Sequence, residues 1–298
     1  MNVLSLCDGM SCGHIALKEL DIPIDHYYAS EIDKNSIKVT MDNFPDTIQL
    51  GDVNNITEEF LNTLPKIDLI CYGSPCTSLT KATAGRKDYN NGLKGSSGLF
   101  YKCSNIQKYI QEHNNKDVKF FVENVTTGKK NQSDIDIMSE ILGVKPIVIN
   151  SNLFSAQDRE RNYWTNIDFD ELPKNNTLVL KDIMDTYIPD KYWYKEDFDF
   201  YGEDKKVCAT LHINGHDILK RVNSKYFKCQ TLTSCRGGNH QKKVYDNGRV
   251  RKLTPNEYMK LQTIPEWYKM NIADTHIYNM CGDGWTIEVI KHIFKGLT

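Results

Sequence analysis

No stretch of eighteen uninterrupted apolar residues occurs, so no segment is built to cross a membrane as a helix. No Cys-x-x-Cys pair occurs among the nine cysteines, which argues against the usual zinc tetrads. No Gly-x-Gly-x-x-Gly fingerprint follows the first apolar run, and no Gly-Lys-Ser/Thr loop exists. Neither a plain nicotinamide reductase nor a P-loop nucleotidase is therefore announced. The opening Met1-Asn2-Val3-Leu4-Ser5-Leu6 lacks the basic and apolar regions of a secretory leader. An excess of either charge is lacking as well. Lys+Arg number 37 against 39 Asp+Glu, a net charge of −2, so any affinity for a polyanion must come from local basic surface.

What is present describes a globular chain. Its 298 residues are 40% hydrophobic and 26% charged. A chain of that length buries roughly 75% of its unfolded surface and needs no disulfide or metal to make a core. An odd number of cysteines without a leader reads as reduced and intracellular, with the cytoplasm as the expected compartment. Only 7 of the 37 basic residues are arginine and asparagine is abundant, as in proteins of AT-rich genomes.

The first half alternates short apolar runs with amphipathic stretches. Strands are expected at Val3–Leu6, Tyr27–Ser30, Ile48–Leu50, Ile67–Tyr72 and Val118–Val122, and helices at His14–Leu20, Asp33–Asn43 and Leu99–Gln111. This alternation gives βαβ units and a parallel sheet, whose ligands sit beyond the carboxyl ends of the strands. Gly9, Glu31, Asp52, Cys76 and Glu123 fall at those ends. From about Asn166 to Val250 the text turns polar, aromatic and irregular, with short β-like pieces at Val207–Ile213 and Lys228–Thr233. Helices return at Thr254–Gln262, opened by a Thr254/Glu257 capping box, and at Ile287–Phe294.

Four constellations carry chemistry. In Cys7-Asp8-Gly9-Met10-Ser11-Cys12-Gly13, a turn between strand and helix offers free backbone N–H groups. Glu31, about 20 positions on, is placed to take ribose hydroxyls, and Asp52 to hold an adenine amino group. Together they argue for an adenosine-containing cofactor, although solvated carboxylates are the usual fate of Asp and Glu. In Gly73-Ser74-Pro75-Cys76-Thr77 a cysteine follows a buried strand in a stiff loop, a candidate nucleophile where most cysteines are small hydrophobes. Phe121-Val122-Glu123-Asn124-Val125 puts a carboxyl at the end of an apolar strand, where burial would raise its pKa and suit it to donate a proton. Gln157-Asp158-Arg159-Glu160-Arg161 spaces two arginines so that an extended segment projects both to one side.

In this order, and with Arg251-x-Leu253-Thr254-x-x-Glu257-x-x-x-Leu261-Gln262 behind them, these motifs resemble the DNA cytosine-5 methyltransferase family. The resemblance covers 1–165 and about 249–298. Leu-Ser-Leu-Cys-Asp-Gly, Gly-Ser-Pro-Cys and Gly282-Asp283-Gly284-Trp285 are similar to the eukaryotic de novo enzymes. Gln157-x-Arg159-x-Arg161 is similar to bacterial ones, so a prokaryotic or phage member is expected. The resemblance implies an α/β fold: a Rossmann-like methyltransferase domain over 1–165, completed by 249–298, with a smaller irregular target-recognition domain over 166–248.

It further implies S-adenosylmethionine as cofactor. The residues expected to bind it are Asp8, Gly9, Met10, Ser11, Cys12, Glu31, Ile32, Asp52, Val53, Ser74, Asp283, Gly284 and Trp285. Catalysis falls to Cys76, Glu123, Arg159 and Arg161: the Cys76 thiolate adds to carbon 6 of a flipped cytosine while Glu123 and Arg161 hold the base. The substrate residues are Pro75, Asn124, Gln157, Arg236, Asn239 and Gln241. A basic loop over 77–98, with Lys81, Arg86, Lys87 and Lys94, is expected to close over the DNA. Lys242 and Lys243 are expected on phosphates. The expected partners are double-stranded DNA and a cognate restriction endonuclease, with the chain itself a monomer and no membrane involved. A tRNA methyltransferase, which shares the scaffold, is disfavoured by the absence of that subgroup's Cys-Phe-Thr tripeptide. A catalytically silent DNA-binding homologue is disfavoured by the presence of Cys76, Glu123 and Arg161.

Overall fold

The computed structural model describes residues 1–75, 93, 98–126, 132–174, 176–235 and 239–298. The expected nucleophile Cys76, most of the 77–98 loop and Arg236 lie outside the described residues.

The chain divides into two compact units. The first comprises Met1–Ile149, Glu160–Asp170 and Ile290–Thr298; the second comprises Asn150–Arg159 and Glu171–Val289. This division runs differently from the expected segments, since all of 249–289 packs within the second unit. Elements in chain order begin with β1 (Asn2–Leu6), α1 (Cys12–Glu19), β2 (His26–Ser30), α2 (Lys34–Asn43), β3 (Ile48–Gln49), α3 (Glu58–Leu61) and β4 (Leu69–Tyr72). They continue with α4 (Leu99–His113), β5 (Lys119–Val125), α5 (Gln132–Leu142), β6 (Ile147–Asn150), β7 (Gln157–Asp158) and β8 (Glu160–Thr165).

A seven-stranded sheet in the order β3-β2-β1-β4-β5-β8-β6 forms the first unit's centre. The pairings β2/β3, β1/β2, β1/β4 and β4/β5 are parallel, whereas β5/β8 is antiparallel. The residues dictate this. Every residue of β4 is buried, the near-continuous apolar run of a strand covered on both faces. Leu4, Leu6, Ile70, Tyr72, Phe120 and Val122 pack into one core with Phe100 and Ile106 of α4. Asp33 caps α2 by accepting from the N–H groups of Asn35 and Ser36. One expectation is corrected here: β5 does not end at Glu123 but runs on to Val125, because β8 pairs with it as far as Val125↔Arg161.

The second unit contains β9 (Phe198–Phe200), β10 (Val207–Leu211), α6 (Asp217–Lys220), β11 (Arg221–Asn223) and β12 (Cys229–Gln230). It continues with β13 (Lys243–Asp246), β14 (Arg249–Lys252), α7 (Pro255–Leu261) and α8 (Asp274–Asp283). The last helix, α9, spans Ile287–Phe294. Five strands form a sheet in the order β14-β13-β11-β10-β9 over a small core of Cys208, Ala209, Leu211, Val222 and Val250. The expected strand at Lys228–Thr233 shrinks to Cys229–Gln230, which among the described residues pairs with β7 alone. The capping box at Thr254/Glu257 is present, but Glu257 does more than cap. It is fully buried, with Arg251 Nη1 and Nη2 each 2.8 Å from one of its oxygens, while Arg251 Nε lies 2.8 Å from Asp246. Among the described residues no helix is long and apolar enough to cross a membrane, and no three His, Cys, Asp or Glu are grouped to hold a metal.

Candidate active site

The turn after β1 is held in an uncommon conformation. Cys7, Gly9 and Ser11 have φ of 54°, 59° and 56°, a left-handed setting that costs a non-glycine residue energy. The turn is pinned at both ends. Asp8 N–H donates to the Ser30 carbonyl at 3.0 Å, and Ser11 N–H to the Asp8 carbonyl at 3.1 Å. Below it, the buried Asp8 carboxylate accepts from the Tyr27 hydroxyl at 2.9 Å and from the Ser11 hydroxyl. Tyr27, absent from the sequence-based set, is thus part of the site's support.

Glu31 closes the turn from β2. Its Oε2 accepts from Gly9 N–H at 2.7 Å, and its Oε1 from Ile32 N–H at 2.7 Å and Asp33 N–H at 2.8 Å. Three backbone donors fix a carboxylate that still has lone pairs to offer. Beside it Ile32 is 70% exposed, an apolar surface in an acidic setting. Asp52 caps the short 3-10 turn Val53–Asn55 through Asn54 N–H at 2.9 Å. Met10, Cys12 and Val53 are buried, at 1%, 4% and 4% exposure.

Burial also acts on Asp8. It pushes the carboxyl up from 3.8 to about 6, Glu31 adding repulsion while the hydroxyls of Ser11 and Tyr27 pull the other way. A carboxyl whose pKa is raised on folding contributes stability below its unfolded pKa and loses it as pH rises through the folded value. The gap corresponds to roughly 3 kcal/mol. Asp8→Asn is therefore expected to unfold at higher denaturant than the parent at pH 8, with the difference shrinking by pH 5. Parallel pH dependences of the two proteins in urea titrations would contradict this.

The second group of residues lies on β5 and β8. Glu123 and Val125 share a face of β5, and Arg161 stands opposite Val125, so its long side chain reaches Glu123 across the diagonal. Arg161 Nε lies 3.0 Å from Glu123 Oε1, with side-chain exposures of 12% and 10%. The carboxylate is thus buried against a guanidinium rather than in an apolar pocket alone. Asn124 is corrected from a substrate contact to a support. It is 2% exposed, and its Nδ2 donates to the carbonyl and hydroxyl of Ser74 at 3.3 and 3.2 Å. Ser74 is itself buried, so this contact ties the residue before Pro75 to β5.

Arg159 and Arg161 do not act together. Arg159 is 2% exposed; its Nη1 donates to the Leu232 carbonyl at 3.0 Å, and its Nη2 to those of Gly282 and Gly284 at 3.1 and 2.9 Å. It is a backbone clamp within the second unit, not a group presented to a base. Gln157 is corrected likewise. It is fully buried, donating to the Leu261 carbonyl and to Gln262, and accepting Leu232 N–H at 2.8 Å. Of the expected cofactor residues in this unit, Asp283 accepts from Ser234 and Asn279, Gly284 accepts from Arg159, and Trp285 is buried. The neighbouring Gly282 is required by close packing: a Cβ there would stand 2.3 Å from Ser234 N.

Lys243 is also corrected, from a phosphate contact to a core residue that is 1% exposed. Burial lowers the pKa of the half-buried Lys242 as well. Gln241 is buried and Asn239 half-exposed.

A model of the family described as C-5 cytosine-specific DNA methylase matches residues 1–298. A type II methyltransferase of Bacillus sp. (strain RFL6), M.Bsp6I, is 28% identical over 297 residues, covering 91% of this chain and 90% of its own. The orphan methyltransferase M.SPBetaI of Bacillus phage SPbeta is 21% identical, covering 100% of this chain and 97% of its own. Among solved structures, the Entamoeba histolytica methyltransferase EhMeth is similar in fold. It has a TM-score of 0.69 at 16% identity and covers 100% of this chain and 99% of its own.

Proposed function

The chain belongs to the C-5 cytosine-specific DNA methylase family, and from that premise we propose that it moves a methyl group from S-adenosylmethionine to carbon 5 of a cytosine in double-stranded DNA, through an adduct at Cys76. That it is a DNA cytosine methyltransferase follows from the family; the cofactor, the adduct and the residue roles are this reading. The observation that carries it is Glu31 held by three N–H groups at the rim of a left-handed turn.

The residues there fit the cofactor. A fixed carboxylate with spare lone pairs suits vicinal ribose hydroxyls, the exposed Ile32 suits one face of an adenine, and Asp52 stands after the next strand. When bound, S-adenosylmethionine supplies an electrophilic methyl group. The chain's own residues do the rest. Cys76 makes carbon 5 electron-rich by adding to carbon 6, and Glu123 hydrogen-bonds the ring edge opposite the sugar. Arg161 holds the Glu123 carboxylate in place and takes the base oxygen. Asn124 anchors the nucleophile's segment through Ser74.

Glu31→Ala is expected to weaken cofactor binding by about 1.5–3 kcal/mol, the worth of a charge-assisted hydrogen bond. Isothermal calorimetry with S-adenosylmethionine checks it, and unchanged affinity would remove Glu31 from the site. The function as a whole is tested by transfer of labelled methyl groups to duplex DNA and, in parallel, to tRNA. Label on cytosine carbon 5 of DNA alone is the expected outcome.

A further inference from the structure

A negative charge sits in the turn after β1 without a positive one to balance it. The Asp8 carboxylate is 8% exposed and accepts from the hydroxyls of Tyr27 and Ser11. Ser11 Oγ lies in turn 3.0 Å from Thr40 Oγ1 of α2. Glu31 brings a second carboxylate to the same turn through Gly9 N–H. Among the described residues no Lys, Arg or His forms an ion pair with either carboxylate.

The remaining groups around Asp8 do not supply the missing charge. Ser5 faces it from β1, the buried thiol of Cys12 opens α1, and Cys71 lies close by on β4. Burial pushes the Tyr27 hydroxyl well up and the Cys71 thiol up to about 12. His14 of α1 stacks on the Tyr27 ring at 4.2 Å, and burial, with Lys18 adding to it, holds the imidazole down at about 3. Tyr27, Cys71 and His14 therefore carry no charge between pH 5 and 8, the range in which Asp8 itself titrates.

Burying an unpaired carboxylate is unfavourable. An asparagine could bond the same two hydroxyls at less cost, accepting from one and donating its amide N–H to the other. What the aspartate adds is charge. In a low-dielectric interior a charge acts across several ångströms, so it bears on a molecule bound at this turn without touching it. S-adenosylmethionine carries a sulfonium. Once the methyl group has left, the sulfur is a neutral thioether, and the spent cofactor, S-adenosylhomocysteine, has one positive charge fewer.

We propose that Asp8 is a specificity-determining residue for the charge of the cofactor: its buried, uncompensated carboxylate favours the sulfonium of S-adenosylmethionine over the thioether of S-adenosylhomocysteine, with Tyr27 and Ser11 as the positioning residues that hold it in the turn. The preference loads the methyl donor and helps the product leave. The inference rests on the reading of this turn as the cofactor site.

The test is isothermal calorimetry of the full-length protein with each of the two ligands from pH 5 to 7.5. A cation lowers the pKa of a nearby carboxyl, so its binding strengthens as pH rises through the free carboxyl's value and levels off above it. Affinity for S-adenosylmethionine is expected to rise roughly 5- to 10-fold over that range, and affinity for S-adenosylhomocysteine by less than about twofold. Asp8→Asn should flatten the first curve and narrow the preference at pH 7.5. Tyr27→Phe keeps the stacked ring and removes one donor to the anion, which moves the carboxyl up and the rise to higher pH. A merely structural role for these residues would weaken both ligands alike at every pH, and that outcome overturns the proposal. So do parallel curves for the two ligands in the parent, or a rise that survives in Asp8→Asn. Glu31→Ala separates the two levels. If it leaves both affinities unchanged, the turn is not the cofactor site and the underlying reading fails. If it weakens both while the parent's curves run parallel, the site stands and Asp8 does not read the charge.

Discussion

Cys76→Ala is expected to abolish methyl transfer and to leave cofactor affinity unchanged. Carbon 5 of cytosine is a poor nucleophile, and no hydrogen bond to the ring supplies the missing electron density. Addition of a thiolate to carbon 6 does: the sulfur–carbon bond forms, the 5,6 double bond opens, and carbon 5 becomes enamine-like. After methyl transfer, loss of the carbon 5 proton restores the double bond and expels the sulfur. Without the thiol there is no first step, so the loss should exceed the 10²–10⁴-fold typical of removing one positioned acid or base.

Four of the described cysteines are poorly suited to substitute. Cys71, Cys208, Cys229 and Cys235 are buried free thiols, and burial pushes Cys71 and Cys229 up to about 12 and Cys208 and Cys235 up to about 11. A thiol so far from ionisation is a weak nucleophile. DNA containing 5-fluorocytosine gives an independent readout, because fluorine does not leave as the proton does. The parent should form a stable protein–DNA adduct and Cys76→Ala none. Turnover near the parent's, or an adduct with the variant, would move the nucleophile elsewhere.

The parts of this site that were legible in the sequence are those set by local chain logic. Leu69–Tyr72, the end of the expected Ile67–Tyr72 strand, is apolar throughout because both faces of a central parallel strand are covered, so β4 and the Pro75-Cys76 position after it could be placed by inspection. Glu31 could be placed for the same reason, one residue past β2. What was not legible depends on groups distant in sequence. Arg159 and Arg161 look alike two residues apart, yet one clamps carbonyls 73 to 125 residues away and the other meets a glutamate on a paired strand. Only the β5/β8 register distinguishes them. Lys243 reads as a phosphate contact because a lysine in a polar run is usually solvated; its burial follows from two carbonyls and an aromatic ring folded over it. The Asn247-Gly248 pair was different. With φ of 48° and 83° it makes the tight turn between β13 and β14, a hairpin that an Asn-Gly pair between two short β-prone runs announces by composition alone.

Glu123→Gln is expected to cut the rate of methyl transfer by about 10²–10⁴-fold while cofactor affinity stays as in the parent. The substitution keeps the side chain's shape and its position on β5 but removes the negative charge. That has a second effect, because Arg161 is nearly as buried as its partner and would be left as an uncompensated cation. Breaking one side of such a pair typically costs about 3–5 kcal/mol, whereas replacing both sides with neutral groups is often close to neutral. Two measurements therefore separate catalysis from stability. Glu123→Gln alone should show both a slow single-turnover rate and a lowered midpoint of unfolding. Combining it with Arg161→Met should recover most of the midpoint and none of the rate, since a methionine leaves no charge unpaired and offers nothing to the base. If the double variant recovered activity along with stability, the slow rate of the single variant would have been a folding defect, and Glu123 would lose its place beside Cys76 in the mechanism.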